Sequence, residues 1–239
     1  MKIFFILSSI FFLTDCQPSR KKLPVPLTQS SSGKDSLRTK SYEALLKEIE
    51  ESRKLFSIKY IHADIPAKKA CLDEIKKFWI NAISNELYSE WKNTPWDFNG
   101  TTTKPRQGNI ACGFFVVTLL QHMGLKVNRT KLSVCASSQM MKSLVPQQQL
   151  KNISYLSYRN FNEKLKEYGS GVYVIGLDFH TGFIVNDGKE NWFIHSNYIE
   201  RTGVTKETVL NSDALKSSKT RWVVSLTDDK GFLQRWLKG

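Results

Sequence analysis

Cys112 stands where a polar loop, Gln107-Gly108-Asn109, runs into the apolar stretch Ile110 to Leu120. That pattern predicts a helix with the cysteine at its mouth. A thiol at a helix N-terminus feels the positive end of the helix dipole, and beside an imidazole its pKa can fall to about 3.5–7.5. It is then a thiolate nucleophile at neutral pH. The chain holds 4 histidines, and two of them, His180 and His195, fall on neighbouring apolar runs separated by the turn signal Asp187-Gly188. A hairpin closed there brings His195 opposite His180, one ring serving as base and the other orienting it. The Cys112 backbone N–H is a candidate oxyanion donor, and Gln107 is a candidate side-chain donor or, alternatively, a solvated loop residue.

Helices come first and strands come last. Tyr42, Leu45, Leu46, Ile49 and Leu55 or Phe56 recur at helical spacing. Pro66 opens a second helix that reaches to about Trp91. Pro95 to Asn109 is polar and turn-rich, and the cysteine helix runs from Cys112 to Met123, before Gly124. Helices are also expected over Ser133–Leu144 and Phe161–Tyr168. Strands are expected at Val172–Leu177, Phe179–Asn186, Asn191–His195 and Arg221–Leu226, with a short helix from Phe232 to Leu237. That order predicts an α+β fold with the nucleophile helix packed on an antiparallel sheet.

The first residues read as an address. Met-Lys followed by an apolar run from Ile3 to Leu13 predicts a signal peptide over 1–15, and the run is too short to span a bilayer. Residues 16–40 carry prolines, serines and basic charge, and read as a flexible linker. Residues 41–239 are expected to form one domain. The whole chain has 35 basic and 22 acidic residues, a net charge of +13. The excess suits an anionic wall polymer or lipid surface, and no nucleic-acid-binding signature accompanies it. Cys71 and Cys135 are expected as thiols rather than a disulfide. Neither Cys-x-x-Cys spacing nor an acidic base beside the candidate ligands favours zinc, so no metal and no cofactor are expected. His62 and His122 receive no catalytic role; His122, near a helix C-terminus, is placed to compensate the dipole.

Three blocks carry a resemblance to the NlpC-type cell-wall cysteine peptidases. Pro95-Trp96-Asp97-Phe98-Asn99-Gly100-Thr101 is similar to the family's aromatic-x-aromatic-Gly-Gly-Thr loop. Ala111-Cys112-Gly113-Phe114-Phe115-Val116 resembles its nucleophile block. His180-Thr181-Gly182-Phe183-Ile184 with Phe193-Ile194-His195 resembles its histidine pair. The departures are Ala111 for an aspartate, Gly113 for a serine and Trp96 for a tyrosine. Leu13-Thr14-Asp15-Cys16 resembles a lipoprotein signal, with Cys16 as the lipidation candidate. The resemblance implies a papain-like fold and a Cys112-His180-His195 triad. It implies hydrolysis of peptide bonds in peptidoglycan stem peptides by an exported monomer, lipid-anchored in the bacterial envelope. Trp96 becomes a substrate-contact candidate. The alternatives from other classes are a wall- or lipid-binding module of the same fold that lost its chemistry, and an acyl hydrolase acting on another amide or thioester.

Overall fold

Ser41 caps the first helix by accepting the Ala44 N–H at 3.2 Å, and the helix α1 runs Tyr42–His62. Asp64 caps the second in the same way, and Pro66 sits in the first turn of α2, Ile65–Asn81. The computed structural model describes residues 41–199 and 201–239, which belong to one compact unit. The expected signal over 1–15, the linker over 16–40 and the Cys16 lipidation site lie outside the described residues. Among the described residues no helix is long and apolar enough to cross a membrane.

The helix expected from Pro66 to Trp91 is continuous but changes pitch. A π-helical segment, Ala82–Leu87, separates α2 from α3, Tyr88–Trp91. Within that wider turn the Ser84 carbonyl accepts the Lys206 ammonium at 3.0 Å. The cysteine helix α4 spans Cys112–His122, and Phe115 to Leu120 are all buried, as befits a helix apolar on every side. The helix expected from Ser133 to Leu144 begins only at Ser137, as α6 Ser137–Leu144, and a separate short helix, α5 Arg129–Ser133, precedes it. The break carries the Ser133 carbonyl onto the start of α4, where a Cβ added to Gly113 would lie 2.2 Å from that oxygen.

Besides short 3-10 turns at Gln147–Gln149 and Val209–Asn211, the remaining elements are β1 Lys151–Asn152, α7 Tyr158–Glu167, β2 Gly171–Gly176, β3 Thr181–Asn186, β4 Asn191–Asn197, β5 Gly203–Thr208, α8 Asp213–Ser217, β6 Trp222–Ser225 and α9 Lys230–Lys238. The strands form one antiparallel sheet ordered β1-β6-β2-β3-β4-β5. The architecture is α+β, as expected. Strand residues alternate between two cores. Val172, Val174, Phe183, Val185, Ile194 and Val224 join Phe115 and Leu119 of α4 on one face. Tyr173, Ile175, Ile184, Phe193 and Val223 join Phe161 and Leu165 of α7 on the other. A sheet covered on both faces explains why β2 to β4 read as continuous apolar runs.

The helices before Pro95 brace the back of α4 and α9. The Arg53 guanidinium donates to the Trp236 and Leu237 carbonyls at 3.3 and 3.0 Å, closing the last turn of α9. Trp79 meets Phe232 and Trp236 edge-on at 5.4 and 5.6 Å. Behind α4, the Trp91 indole N–H donates to the Tyr42 phenol oxygen at 2.6 Å, and that hydroxyl donates to His122 Nδ1 at 2.6 Å. Burial, with the Arg129 charge adding to it, pushes His122 down to about 4. His122 is therefore a neutral acceptor near pH 7. It does not supply the dipole-compensating charge expected from its position. This histidine's pKa drops on folding, from 6.5 to about 4. Its contribution to stability is whole above pH 6.5 and is lost as pH falls through that window, at up to about 1.4 kcal/mol per pH unit. Urea titrations from neutral pH downward should show the wild type weakening more steeply than His122→Gln. Parallel slopes would contradict a buried neutral His122.

Candidate active site

Backbone bonds fix the approach to Cys112. The Ile110 N–H donates to the Pro95 carbonyl at 2.9 Å, and the Ala111 N–H to the Gly100 carbonyl at 2.8 Å. The Ser196 hydroxyl of β4 donates to the Ile110 carbonyl at 2.7 Å. Ala111 is the N-cap of α4 and brings no side-chain acceptor to the first-turn amides. A carboxylate there would occupy those N–H groups, and alanine leaves them to the cleft.

The imidazoles form a chain. His180, directly before β3, places Nε2 2.8 Å from Nδ1 of His195 on β4. The strand register pairs Phe183 with Ile194, which sets Gly182 across from His195 and puts His180 on the diagonal. A Cβ on Gly182 would lie 2.6 Å from the Phe193 ring and 2.9 Å from the His195 Cβ. Phe193 stacks on the His195 ring with centroids 4.0 Å apart and planes at 18°. On the far side, His195 Nε2 lies 3.1 Å from Glu207 Oε1. Glu207 sits on β5 opposite Phe193. Burial opposes its ionisation, but hydrogen bonds from His195 and Ser212, with the charges of His195 and Lys216, hold the carboxyl below its usual range.

That carboxylate sets the protonation of both rings. An ionised carboxylate only accepts, so His195 carries a proton on Nε2, and while His195 is neutral its Nδ1 is the acceptor. In that state His180 donates from Nε2 and its Nδ1 is a bare lone pair, whereas a charged His195 would donate from Nδ1 to His180 Nε2. Nδ1 of His180 is buried and has no hydrogen-bond partner. A buried ring nitrogen without a partner requires an explanation. Burial, with the His195 charge adding to it, holds His180 well below the ordinary imidazole range, so the ring is neutral at pH 7.

Cys112 and His180 line the same two cavities. One, of about 380 Å³, is bounded by the Ser133–Ser138 segment, Asp178, Thr220 and Trp222. The other, of about 730 Å³, is bounded by Trp96, Phe98, Phe114, Phe179 and Tyr198. Burial raises the Cys112 thiol, and hydrogen bonding from the Thr181, Gly113 and Cys112 N–H groups lowers it only partly. The expected resting thiolate is thus corrected: desolvation outweighs the helix end, and the thiol is protonated at neutral pH. Trp96 lines the larger cavity. Gln107 does not reach Cys112; it is exposed and lines a separate cavity with Tyr42, Glu90 and Arg106. Ser133, unassigned from sequence, lines both cavities, and its hydroxyl is buried without a partner. Glu207 also escaped the sequence reading, because its strand carries no apolar run. Cys71 and Cys135 are free thiols. Among the described residues no group of three or more His, Cys, Asp or Glu side chains is placed to hold a metal ion.

The chain matches no known family model, no curated protein and no solved structure.

Two outcomes follow from this geometry. Alkylation of Cys112 by iodoacetamide should accelerate as pH rises toward and beyond the ordinary thiol range of about 8.5. A rate already at its plateau near pH 6 would mean a resting ion pair. Gly182→Ala should displace His195 and cost about 1–3 kcal/mol in urea titration. A variant of unchanged stability would show that the contact at Gly182 is not tight.

Proposed function

We propose that the chain is a papain-like cysteine hydrolase that cleaves an acyl bond through a thioester on Cys112. The observation that carries this reading is the unpartnered His180 Nδ1, ending a Glu207–His195–His180 chain beside a cysteine in the same cleft. With a protonated thiol and a neutral imidazole at rest, His180 acts as a general base during attack. The Cys112 sulfur bonds to the substrate carbonyl carbon as its proton passes to His180 Nδ1. The positive charge on His180 is then stabilised through His195 toward the Glu207 carboxylate. The tetrahedral oxygen is received by the Cys112 N–H, with the Ser133 hydroxyl as second donor. As the carbon–nitrogen bond breaks, His180 returns the proton to the leaving amine. Water attacks the thioester, gives a proton to His180, and the carboxylate product and free thiol follow.

The resemblance in three ordered blocks points to peptide bonds of peptidoglycan stem peptides as substrate. The signal-like start and Cys16 point to a lipid anchor in the envelope. The departure at Gly113 has a structural cause that does not touch the nucleophile, since the Ser133 carbonyl fills the space a side chain would need. Purified peptidoglycan should yield new soluble fragments by mass spectrometry with the wild type. Cys112→Ala should lower the rate by at least about a thousandfold without changing the circular dichroism spectrum. Full activity in that variant would refute the mechanism. A second reading, hydrolysis of another amide or thioester, is favoured by the aromatic lining of the larger cavity.

A further inference from the structure

The cleft is chemically lopsided. The smaller cavity presents the Ser133, Ser137, Ser138 and Thr220 hydroxyls and the Asp178 carboxylate. The larger presents Trp96, Phe98, Phe114, Val134, Phe179 and Tyr198, and among the described residues no ionisable nitrogen other than that of His180 and no carboxylate lines it. The chain is 24% charged, so an uncharged wall around about 730 Å³ is a selective feature. Three of these side chains are strongly exposed: Phe98 at 80%, Val134 at 68% and Phe179 at 94%. They come from three separate segments and converge on one mouth. Clustered exposed apolar side chains at a concave site mark a surface meant to be covered.

These positions are built. Phe179 rides a tight turn closed by the Leu177 N–H on the His180 carbonyl at 2.8 Å. The turn is tied down by Asp178, whose carboxylate accepts the Lys219 and Thr220 N–H groups at 2.7 and 3.0 Å. The same turn delivers His180, so the exposed ring and the base are held by one set of bonds. Phe98 is held similarly, with the Asn99 N–H on the Asp97 carboxylate at 2.8 Å and the Gly100 N–H on the Asp97 carbonyl at 3.0 Å. Val134 occupies the break between α5 and α6 that Ser133 and Gly113 impose.

We infer that the larger cavity is a binding site for an extended apolar group attached near the scissile carbonyl, with the polar part of the substrate in the smaller cavity. This rests on the hydrolase reading in its second form, an amide or thioester other than a stem peptide, and narrows that substrate class. The apolar group has two sources of the same chemistry, a fatty-acyl chain or a bulky apolar amino-acid side chain.

Both sources are tested with fluorogenic aminocoumarin amides. One series runs from acetyl to decanoyl, and the other carries N-acetylated alanine, leucine, phenylalanine or tryptophan. In whichever series matches the natural source, kcat/KM should rise by about threefold to fourfold per added CH2 until the cavity is filled. Phe179→Ser and Phe98→Ser should each cut the ratio of longest to shortest substrate by about tenfold. In parallel, the uncharged probe N-phenyl-1-naphthylamine should bind Cys112→Ala and wild type equally, and bind Phe179→Ser more weakly. Hydrolysis indifferent to substituent size in both series overturns the inference and leaves the hydrolase reading standing. Probe binding weakened by Phe179→Ser, with no substrate cleaved, supports the apolar site and overturns the hydrolase reading. No probe binding overturns the inference whatever the kinetics show.

Discussion

The site depends on one ionised carboxylate at the edge of the sheet. Glu207 can only accept hydrogen bonds, and with His195 neutral this restriction passes through two imidazoles to fix where a lone pair is presented. Without it, each ring could hold its proton on either nitrogen, and His180 would offer the cleft a donor as readily as an acceptor. The carboxylate also gives a developing imidazolium somewhere to place its charge. That matters in a pocket where burial disfavours positive charge on His180. The remaining architecture holds this relay in register: the β3–β4–β5 meander spaces the three groups, and Gly182 leaves room for the Phe193 and His195 rings.

The nucleophile end follows a different physical logic. A helix terminus and several backbone N–H groups favour a thiolate at Cys112, yet burial prevails and the proton stays on sulfur. Because burial also keeps His180 neutral, the proposed chemistry begins from an uncharged pair. Charge then appears only as substrate reacts, where the Glu207 relay and the first-turn amides can stabilise it. The helices before Pro95 take no part in that chemistry. They close the back of α4 through the Trp91–Tyr42–His122 bonds and hold α9 through Arg53.

What the sequence discloses, and what it conceals, follows from range. The Cys112 helix, the hairpin around Asp187-Gly188 and the α+β order are all written in local apolar periodicity, and each is found close to its expected place. The edge strand β5 is not legible, since Thr205, Lys206, Glu207 and Thr208 form no apolar run and are set by pairing with β4. Glu207 was hidden with it. Of the two readings of Gln107 the solvated loop residue is the one found, and the loop's direction is decided by distant bonds, Pro95 to Ile110 and Gly100 to Ala111, that no local pattern records. The single helix expected over Ser133–Leu144 breaks for a similarly nonlocal reason, the pressing of the Ser133 carbonyl onto Gly113. The protonation of Cys112 turns on burial, which depends on the assembled fold.

The most direct test reads the ring protons themselves. Long-range proton–nitrogen NMR of the imidazoles at neutral pH should show His180 and His195 each protonated on Nε2 with Nδ1 bare. Glu207→Gln should loosen that preference at His195 first. A proton on Nδ1 of His180 in the wild type, or the averaged signals of a freely exchanging imidazole, would contradict the account at its root.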